Sequence, residues 1–322
     1  MVPAEHSAQP GRMIGIGVNV AAELPDPVGN VVDELANRAR AAEASGVDTV
    51  WLPQGYGFDT LTVIAALARE TGRVELGASV VVVQPRHPRV LAAQALTAHA
   101  ASHGRLALGL GVSHPGLLEV YGIPFERPVA ALREHLDVLL PILDCRAVPG
   151  SSGTGSDAAS TAVPGAGPRV PVLFGALGPV MLRLAGERGD GTITFLSGPR
   201  TIGEHVVPHL TRAADAAGRP RPRVVVGLPV AVTDDPRRVR HAVATSHAPY
   251  ARLPSYAATL ERDGFATPGD IVVAGDEDAV ADGLRRYAEA GATDVNVSLV
   301  GTTAERERTL VHLGHLASAS RR

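Results

Sequence analysis

The stretch that decides the fold, residues 171–195, reads PVLFGALGPVMLRLAGERGDGTITF. Two short apolar runs near its ends, residues 170–174 and 192–195, are rich in residues that favour β-strands. Residues 180–188 between them have helical spacing. The side of this helix that is predicted to be buried carries Val180, Leu184 and Ala185. The stretch therefore predicts one β-α-β unit with a glycine-rich turn between its first strand and its helix.

The turn, Gly175-Ala176-Leu177-Gly178-Pro179, has almost no side chains that would block an approaching ligand. A proline just inside a helix leaves the backbone amides before it available. Available amides at a helix N-terminus bind phosphate or carboxylate groups. The alternative is that the glycines only form a tight connection between strand and helix, and the turn alone leaves both interpretations open.

Composition excludes several classes of function. The net charge of −3 over 322 residues gives no basic surface for nucleic acid. No apolar run approaches the roughly 20 residues that span a bilayer, and the first residues lack an apolar signal core, so we expect a cytoplasmic protein without a membrane partner. Every one of the 30 Lys or Arg residues is an arginine, which excludes a Schiff-base lysine and a P-loop lysine.

The alternation of apolar strand and amphipathic helix continues along the chain. The predicted strands are residues 13–20, 47–52, 74–83, 106–112, 170–174, 192–195, 223–233 and 294–300. These runs are continuously apolar, as expected of parallel strands that are covered on both faces. Eight strands, each followed by a helix, predict an α/β fold closed into a (β/α)8 TIM barrel. The alternative, an open doubly wound sheet, lacks its dinucleotide fingerprint, because the Gly-x-Gly pairs at 15–17 and 109–111 have no third glycine at the right spacing.

The pattern predicts one domain, residues 1–322, with two insertions. Residues 146–169 are rich in Gly, Ser, Ala and Pro. We interpret them as a flexible insertion because the alternation resumes after them. Residues 249–270 form a second insertion, for which two short helices are predicted.

Five segments resemble the bacterial luciferase-like superfamily, and in particular its branch that depends on the deazaflavin coenzyme F420. They read AEASGVDTVW at 42–51, LGASVV at 76–81, PRVLAAQA at 88–95, GRLALGLG at 104–111 and LAGERGDG at 184–191. The five segments are distributed over nearly the whole chain. The resemblance implies the bacterial luciferase-like (β/α)8 barrel with insertions and a cofactor, F420 or alternatively flavin mononucleotide (FMN).

By the same resemblance, the cofactor ring would lie on the third strand, where Ser79-Val80 matches a non-prolyl cis peptide of the family. The cofactor phosphate would bind the amides of residues 175–178. Chemistry in a barrel is found where strands end. The cofactor-binding residues implied are Asn19, Ser79, Val80, Val82, Arg86, Gly111, Ser113, Gly175, Ala176, Leu177 and Gly178.

Two residues are candidates for catalysis. His114 follows the fourth strand, and an imidazole there could give or take a proton as hydride moves. Alternatively, it is a loop histidine that hydrogen-bonds the ring or caps the next turn. Gln54 ends the second strand and could hydrogen-bond the ring edge or the substrate, but it cannot act as a base.

Other polar groups have simpler interpretations. Arg86 could pair with the phosphodiester or the carboxylates of the F420 tail, or it could belong to a solvated face. The histidine pairs 99/103 and 205/209 lack the HExxH order, so no metal site is predicted.

The sequence thus predicts an F420-dependent oxidoreductase that exchanges hydride with a small organic substrate. The alternatives are an FMN-dependent luciferase-like monooxygenase and a non-catalytic cofactor-binding member of the family. Alanine-rich helices at 39–44 and 91–101 could pack against a second copy, so a homodimer is expected, although ordinary core packing explains the same pattern.

Overall fold

The computed structural model describes residues 14–24, 29–144, 162–167 and 169–321. Strands within them are β1 Gly15–Asn19, β2 Thr49–Leu52, β3 Glu75–Val82, β4 Leu106–Gly111, β5 Val172–Gly175, β6 Gly191–Phe195, β7 Arg223–Val232, β8 Val273–Gly275 and β9 Asp294–Leu299. The helices are α1 Val31–Ser45, α2 Thr60–Glu70, α3 Pro88–Ala101, α4 Pro115–Val120, α5 Pro128–Leu143, α6 Pro179–Arg188, α7 Pro199–Thr201, α8 Val207–Ala216, α9 Pro236–Ser246, α10 Ala248–Ala251, α11 Pro254–Asp263, α12 Glu277–Glu289 and α13 Thr303–Ala319. A π-helical turn, Ile202–Val206, precedes α8, and a 3₁₀ turn, Pro268–Ile271, precedes β8.

The chain divides into two compact units. The N-terminal unit comprises residues 19–43 and 49–176, and the C-terminal unit comprises residues 1–18, 44–48 and 177–322. The prediction of a single domain over the whole chain stays a prediction.

The N-terminal unit is built on four parallel strands, β2 to β5, which pair in sequence order. The indole ring of Trp51 lies on Gly77 of the neighbouring strand, where an added Cβ would be 2.1 Å from the ring. Glycine at that position is therefore required by the packing of the tryptophan. Helices α2 and α3 pack on each other and on β3 and β4, and α5 packs on α3.

The C-terminal unit is built on parallel pairs of β1 with β9, β9 with β7, β7 with β6 and β7 with β8. Helices α6 and α8 pack closely at Gly186, where an added Cβ would lie 2.5 Å from the carbonyl oxygen of Leu210. Helix α12 covers β8, and α13 covers β7 and β9.

All eight predicted strands are present, and the two short helices predicted in the second insertion are α10 and α11. Two details of the prediction were wrong. The first is the short strand β8, which was missed because its three residues give too little pattern to detect. The segment that follows β4 contains helix α4, which Pro115 starts. Helix α8 is preceded by a π turn, because Pro208 has no amide proton for the regular bond to residue 204.

The second error concerns α6. Its buried residues include Met181, Leu184 and Ala185, whereas Val180 is 50% exposed. The apolar side is thus shifted by one position from the predicted one. The first insertion, residues 146–169, lies outside the described residues except for 162–167 and 169.

The alanines of the two segments considered for a dimer surface are divided between core and surface. Ala39 and Ala42 on α1 and Ala92 and Ala95 on α3 are at most 1% exposed, whereas Ala41, Ala44 and Ala93 are exposed. Core packing explains the buried alanines only, and the homodimer stays a prediction. No helix among the described residues is both long enough and apolar enough to cross a membrane.

Candidate functional site

Strand β3 carries a bulge next to its end. Ala78 pairs with Leu108 and Val81 pairs with Leu110, so that Ser79 and Val80 together oppose a single residue of β4. The Ser79–Val80 peptide bond is cis, as the family resemblance implied. Both residues are half-buried, whereas Ala78 and Val81 on either side are fully buried. The bulge therefore presents part of the strand's middle to solvent.

Two glycines on the neighbouring strands leave room for the side chain of Val80. A Cβ added to Gly111 on β4 would lie 2.5 Å from Cγ2 of Val80, and one added to Gly175 on β5 would lie 3.5 Å from the same atom. Val80 can therefore lie low across both strands. The result is an apolar and partly open surface, which we call the valine floor, made of Val80, Gly111 and Gly175. Both glycines make room for the Val80 side chain, which can therefore lie beneath a planar ring.

Arg86 and Gln54 belong to one hydrogen-bonded group in which Asp59 is the third member. The Arg86 guanidinium donates to Oε1 of Gln54 at 2.9 Å, to Oδ2 of Asp59 at 2.5 Å and to the carbonyl oxygen of Val82 at 3.1 Å. The Gln54 amide donates to the carbonyl oxygens of Gly55 and Phe58. The two predicted side chains thus lie together, and much of their hydrogen-bonding capacity is used inside the protein.

Asp59 is ionised in this group. Burial raises the pKa of its carboxyl, but the Thr62 amide and the Arg86 guanidinium donate to the charged form, and the pKa lies below its usual range as a result. Asp59 also caps helix α2 through the Thr62 amide. The arginine is therefore anchored at a helix N-terminus after β2, which restricts how far it can reach toward a ligand.

His114 follows β4 and caps helix α4 without a side-chain hydrogen bond. Its imidazole is half-buried and has no hydrogen-bond partner in the described part of the chain. Ser113 before it has a φ of 60°, in the left-handed region that non-glycine residues rarely adopt. Such a backbone persists only where its surroundings hold it, and it is common at functional sites.

Gln84 was missed by the sequence analysis, although it follows β3 directly. Its amide donates to the carbonyl oxygen of Val112 at 2.7 Å and so connects the loop after β3 to the loop that carries His114. Its Oε1 atom is buried and has no hydrogen-bond partner among the described residues. Its position could have identified it as a candidate, because it is a polar residue directly after a strand that carries other candidate residues.

The Gly175–Gly178 turn connects the two units. Gly178 caps α6 and Pro179 is its first residue, as the sequence predicted. The carbonyl oxygen of Leu177 accepts a hydrogen bond from Nε2 of His205 at 2.9 Å. Nδ1 of His209 in turn donates to the His205 carbonyl oxygen at 2.8 Å.

Burial lowers the pKa of His205, and the nearby Arg262 and His209 lower it further. The hydrogen bond to the Leu177 carbonyl raises it, but the pKa stays below its usual value. The neutral ring carries its proton on Nε2, because the Leu177 carbonyl can only accept. In the sequence, His205 stands out only as half of a histidine pair with the spacing of metal ligands, and its contact with the turn cannot be read from spacing.

The side chains of the remaining candidate residues have less to offer a ligand, because they are buried or already hydrogen-bonded. Val82 and Ala176 are buried, so their side chains are covered within the chain. Asn19 accepts a hydrogen bond from the Ala21 amide at 3.0 Å through Oδ1. Within the described residues, no three His, Cys, Asp or Glu side chains come together as a metal site.

The sequence matches the family model described as luciferase-like monooxygenase over residues 11–294. It is 33% identical over 218 residues to a protein of Mycobacterium tuberculosis that is provisionally named a coenzyme F420-dependent oxidoreductase, and the match covers 62% of each chain. The chain thus spans less than two thirds of that relative's length.

Two solved structures have the same fold. The coenzyme F420-dependent tetrahydromethanopterin reductase of Methanopyrus kandleri aligns with a TM-score of 0.74 at 23% identity, over 94% of this chain and 97% of the reductase. A type II Baeyer–Villiger monooxygenase of Pseudomonas putida in complex with FMN aligns with a TM-score of 0.74 at 17% identity, over 95% of this chain and 98% of the monooxygenase. These likenesses show the fold, which is the (β/α)8 TIM barrel that the sequence predicted.

Proposed function

Because this chain belongs to the luciferase-like monooxygenase family, we propose that it is a coenzyme F420-dependent oxidoreductase. In this proposal it transfers hydride between the deazaflavin and a small organic substrate. The observation that carries the proposal is the valine floor, an apolar and half-open surface that a tricyclic ring could cover. The names of two relatives, the mycobacterial protein and the Methanopyrus reductase, favour F420 as the ring.

The residues around the floor take the following roles. Ser79 and Val80 support the ring, and Gly111 and Gly175 make room for the Val80 side chain beneath it. The amides of residues 175–178 bind the phosphate at the start of α6, where the helix dipole favours a negative charge. His205 holds this turn through the Leu177 carbonyl.

Further residues position the cofactor. Gln54 and Arg86 act as one unit, in which the glutamine holds the guanidinium toward the anionic tail. The contacts of Gln54 thus favour a positioning role over the direct contact with ring or substrate that the sequence suggested. Asn19, Val82, Ser113, Ala176 and Leu177 complete the proposed binding set, mainly through their backbone.

When bound, F420 supplies a two-electron carrier whose reactive ring position is a carbon. In the direction of reduction, hydride goes to a substrate carbon and the substrate oxygen needs one proton. We assign that proton to His114, whose imidazole is half-buried and not engaged elsewhere in the described chain. In the reverse direction the imidazole takes the proton from a hydroxyl group.

Calorimetric titration of the purified protein with F420 and, separately, with FMN tests the proposal. We expect F420 to bind in the micromolar range and FMN at least about tenfold more weakly, a difference of about 1.4 kcal/mol. Micromolar binding of FMN without binding of F420 would reject it.

One observation favours a second candidate, an FMN-dependent monooxygenase. The Pseudomonas enzyme has the same fold over nearly its whole length and holds FMN. This alternative predicts oxygen uptake that depends on reduced FMN, whereas the F420 enzyme consumes no oxygen.

The proposal also includes a homodimer in the cytoplasm with no nucleic-acid or membrane partner. Light scattering of the purified protein measures the first of these properties. A monomer mass at micromolar concentration would remove the dimer from the proposal without affecting the cofactor.

A further inference from the structure

Strand β6 ends in Phe195, which lies opposite Gly227 on β7, and Gly227 lies opposite Asn296 on β9. Residues directly opposite each other project from the same face of a sheet. A Cβ added to Gly227 would lie 3.1 Å from the ring of Phe195. The glycine therefore leaves room for the phenylalanine ring at the carboxyl end of the strand.

Three more rings meet Phe195 there. Ring centroids lie 5.9 Å away for His247, 5.4 Å for Tyr250 and 6.4 Å for Tyr256. Tyr250 also contacts Tyr256 edge-on at 5.2 Å and stacks on His247 at 5.9 Å. We call these four residues the aromatic cluster. The chain has only five Phe and five Tyr, so three of them in one place is a concentration that composition alone does not explain.

The second insertion supplies the tyrosines and is fixed to the loop after β6. Asp263 at the end of α11 accepts hydrogen bonds from the amides of Gly198 at 2.8 Å and Thr201 at 2.9 Å. The Thr259 hydroxyl donates to the carbonyl oxygen of Leu196 at 3.3 Å. Leu196 itself is buried with a φ of 50°. The loop that follows Phe195 is thus held in an unfavourable conformation by its neighbours, and the cluster is preformed.

The cluster is not a closed core. All four side chains are only half-buried. Among the described residues, no hydrogen bond to the Tyr250 or Tyr256 hydroxyl contributes to its pKa. An aromatic surface with two hydroxyl groups therefore lies open at the end of a strand, which is where barrels bind substrates.

The charge state of the cluster selects the kind of ligand. Burial raises the pKa of Tyr250 and of Tyr256. Burial lowers the pKa of His247, although a hydrogen bond with the Val243 backbone partly raises it. Near neutral pH the surface is accordingly uncharged and offers hydroxyl donors instead of a cation. It would bind an anionic group poorly.

We propose that the aromatic cluster is a substrate-binding surface for an uncharged, planar ring compound whose oxygen atom accepts a hydrogen bond from Tyr250 or Tyr256. The rings of Phe195 and the tyrosines contact the flat face of the compound. Assigning the bound compound as the substrate rests on the proposed function, whereas the binding itself does not.

Calorimetry with 2-naphthol tests the surface, and naphthalene-2-sulfonate, with the same ring and a negative charge, is the matched probe. We expect naphthol to bind at least about tenfold more tightly than the sulfonate. Phe195→Leu should weaken naphthol binding by about tenfold, since an aromatic contact contributes up to about 1.5 kcal/mol. Tyr250→Phe keeps the ring and should cost roughly threefold through the lost hydrogen bond.

Tyr121→Leu, which removes a ring from the separate Tyr56–Tyr121 pair, is the control and should leave naphthol binding unchanged. Far-ultraviolet circular dichroism and the thermal midpoint of each variant check that it is folded. Equal binding of the two probes, or naphthol binding that both cluster variants retain, would overturn the proposal. If naphthol binds as described but F420 does not, the aromatic surface stands and the proposed function fails.

Discussion

The strand ends of the two units are built in opposite ways. In the N-terminal unit, β4 and β5 contribute glycines and β3 contributes a valine that lies low over them. In the C-terminal unit, β6 ends in a phenylalanine that three further rings surround. The surface in the N-terminal unit is formed where two strands carry glycine in place of larger residues. The surface in the C-terminal unit is formed by four aromatic side chains, although the chain has few Phe and Tyr residues.

The difference separates two requirements of a hydride-transfer enzyme. A cofactor shared by many enzymes needs a surface that its ring can cover and a turn that accepts its phosphate. A substrate has to be distinguished from other compounds, which requires side chains of particular shape and hydrogen-bonding capacity. In the proposed function, the valine floor meets the first requirement and the aromatic cluster the second.

The largest expected effect concerns the proton that the substrate oxygen needs. The proposed function assigns this proton to His114, whereas His247 belongs to the aromatic cluster. His114→Gln should lower kcat by about 100-fold, because a positioned acid or base contributes at least this factor. His247→Gln should act mainly on KM. Both are measured in the steady state with reduced F420 and the best carbonyl compound from a panel. A loss of kcat confined to the His247 variant would reverse the assignment.

Next in size is the effect of filling the valine floor. Gly111→Ala places a Cβ at 2.5 Å from Val80, so the valine must move and F420 affinity should fall about tenfold. The double variant Gly111→Ala/Val80→Ala should recover most of that loss. Gly57→Ala, where an added Cβ meets no atom within 4 Å, is the control. Wild-type affinity in the single variant would show that the floor does not contact the ring.

A smaller effect is expected at the turn between the units. His205→Leu removes the hydrogen bond to the Leu177 carbonyl and should weaken F420 binding by roughly threefold to tenfold. A deazaflavin analogue without the phosphate should bind the variant and the wild type equally. His209→Leu, whose ring does not reach the turn, serves as the comparison. Equal losses for both ligands would mean that His205 acts on the ring or on folding.

The smallest effect is on stability, in the helix layer of the N-terminal unit. Burial lowers the pKa of His135 on α5 to about 4, with a further contribution from His87. This pKa lies below the value near 6.5 of an unfolded histidine. The contribution of neutral His135 to the free energy of unfolding is therefore complete above pH 6.5. It is lost as the pH falls toward 4, at a rate of at most about 1.4 kcal/mol per pH unit.

His135→Gln should therefore lose less stability than the wild type between pH 7 and pH 5 in urea denaturation. His241→Gln, at an exposed position of α9, should behave as the wild type does. Identical pH profiles for all three proteins would contradict the explanation.

The sequence was sufficient for the elements of the fold because their signals are local. Residues 171–195 contain two strand-forming runs, a capping glycine and a proline, and these produce β5, α6 and β6 without help from distant residues. The Ser79–Val80 peptide also followed from the sequence, although through family resemblance and not through local physics.

What the sequence could not provide are contacts between residues far apart in the chain. Gln54 and Arg86 were both candidates, but their mutual hydrogen bond and the anchoring by Asp59 depend on the pairing of β2 with β3. His205 lies 28 residues from Leu177, and no spacing rule connects them. The aromatic cluster likewise joins a strand end to an insertion more than 50 residues later.

The packing of Trp51 on Gly77 has a practical consequence. It is the only tryptophan of the chain, it is fully buried in the N-terminal unit, and its indole Nε1 has no hydrogen-bond partner among the described residues. Its emission should therefore be blue-shifted in the native protein and should move to the red only when that unit opens. Three of the five tyrosines, Tyr250, Tyr256 and Tyr287, lie in the C-terminal unit. In a variant that lacks Tyr56 and Tyr121, the near-ultraviolet dichroism of tyrosine reports on that unit, and comparison with Trp51 emission in one unfolding experiment can show whether the two units melt together.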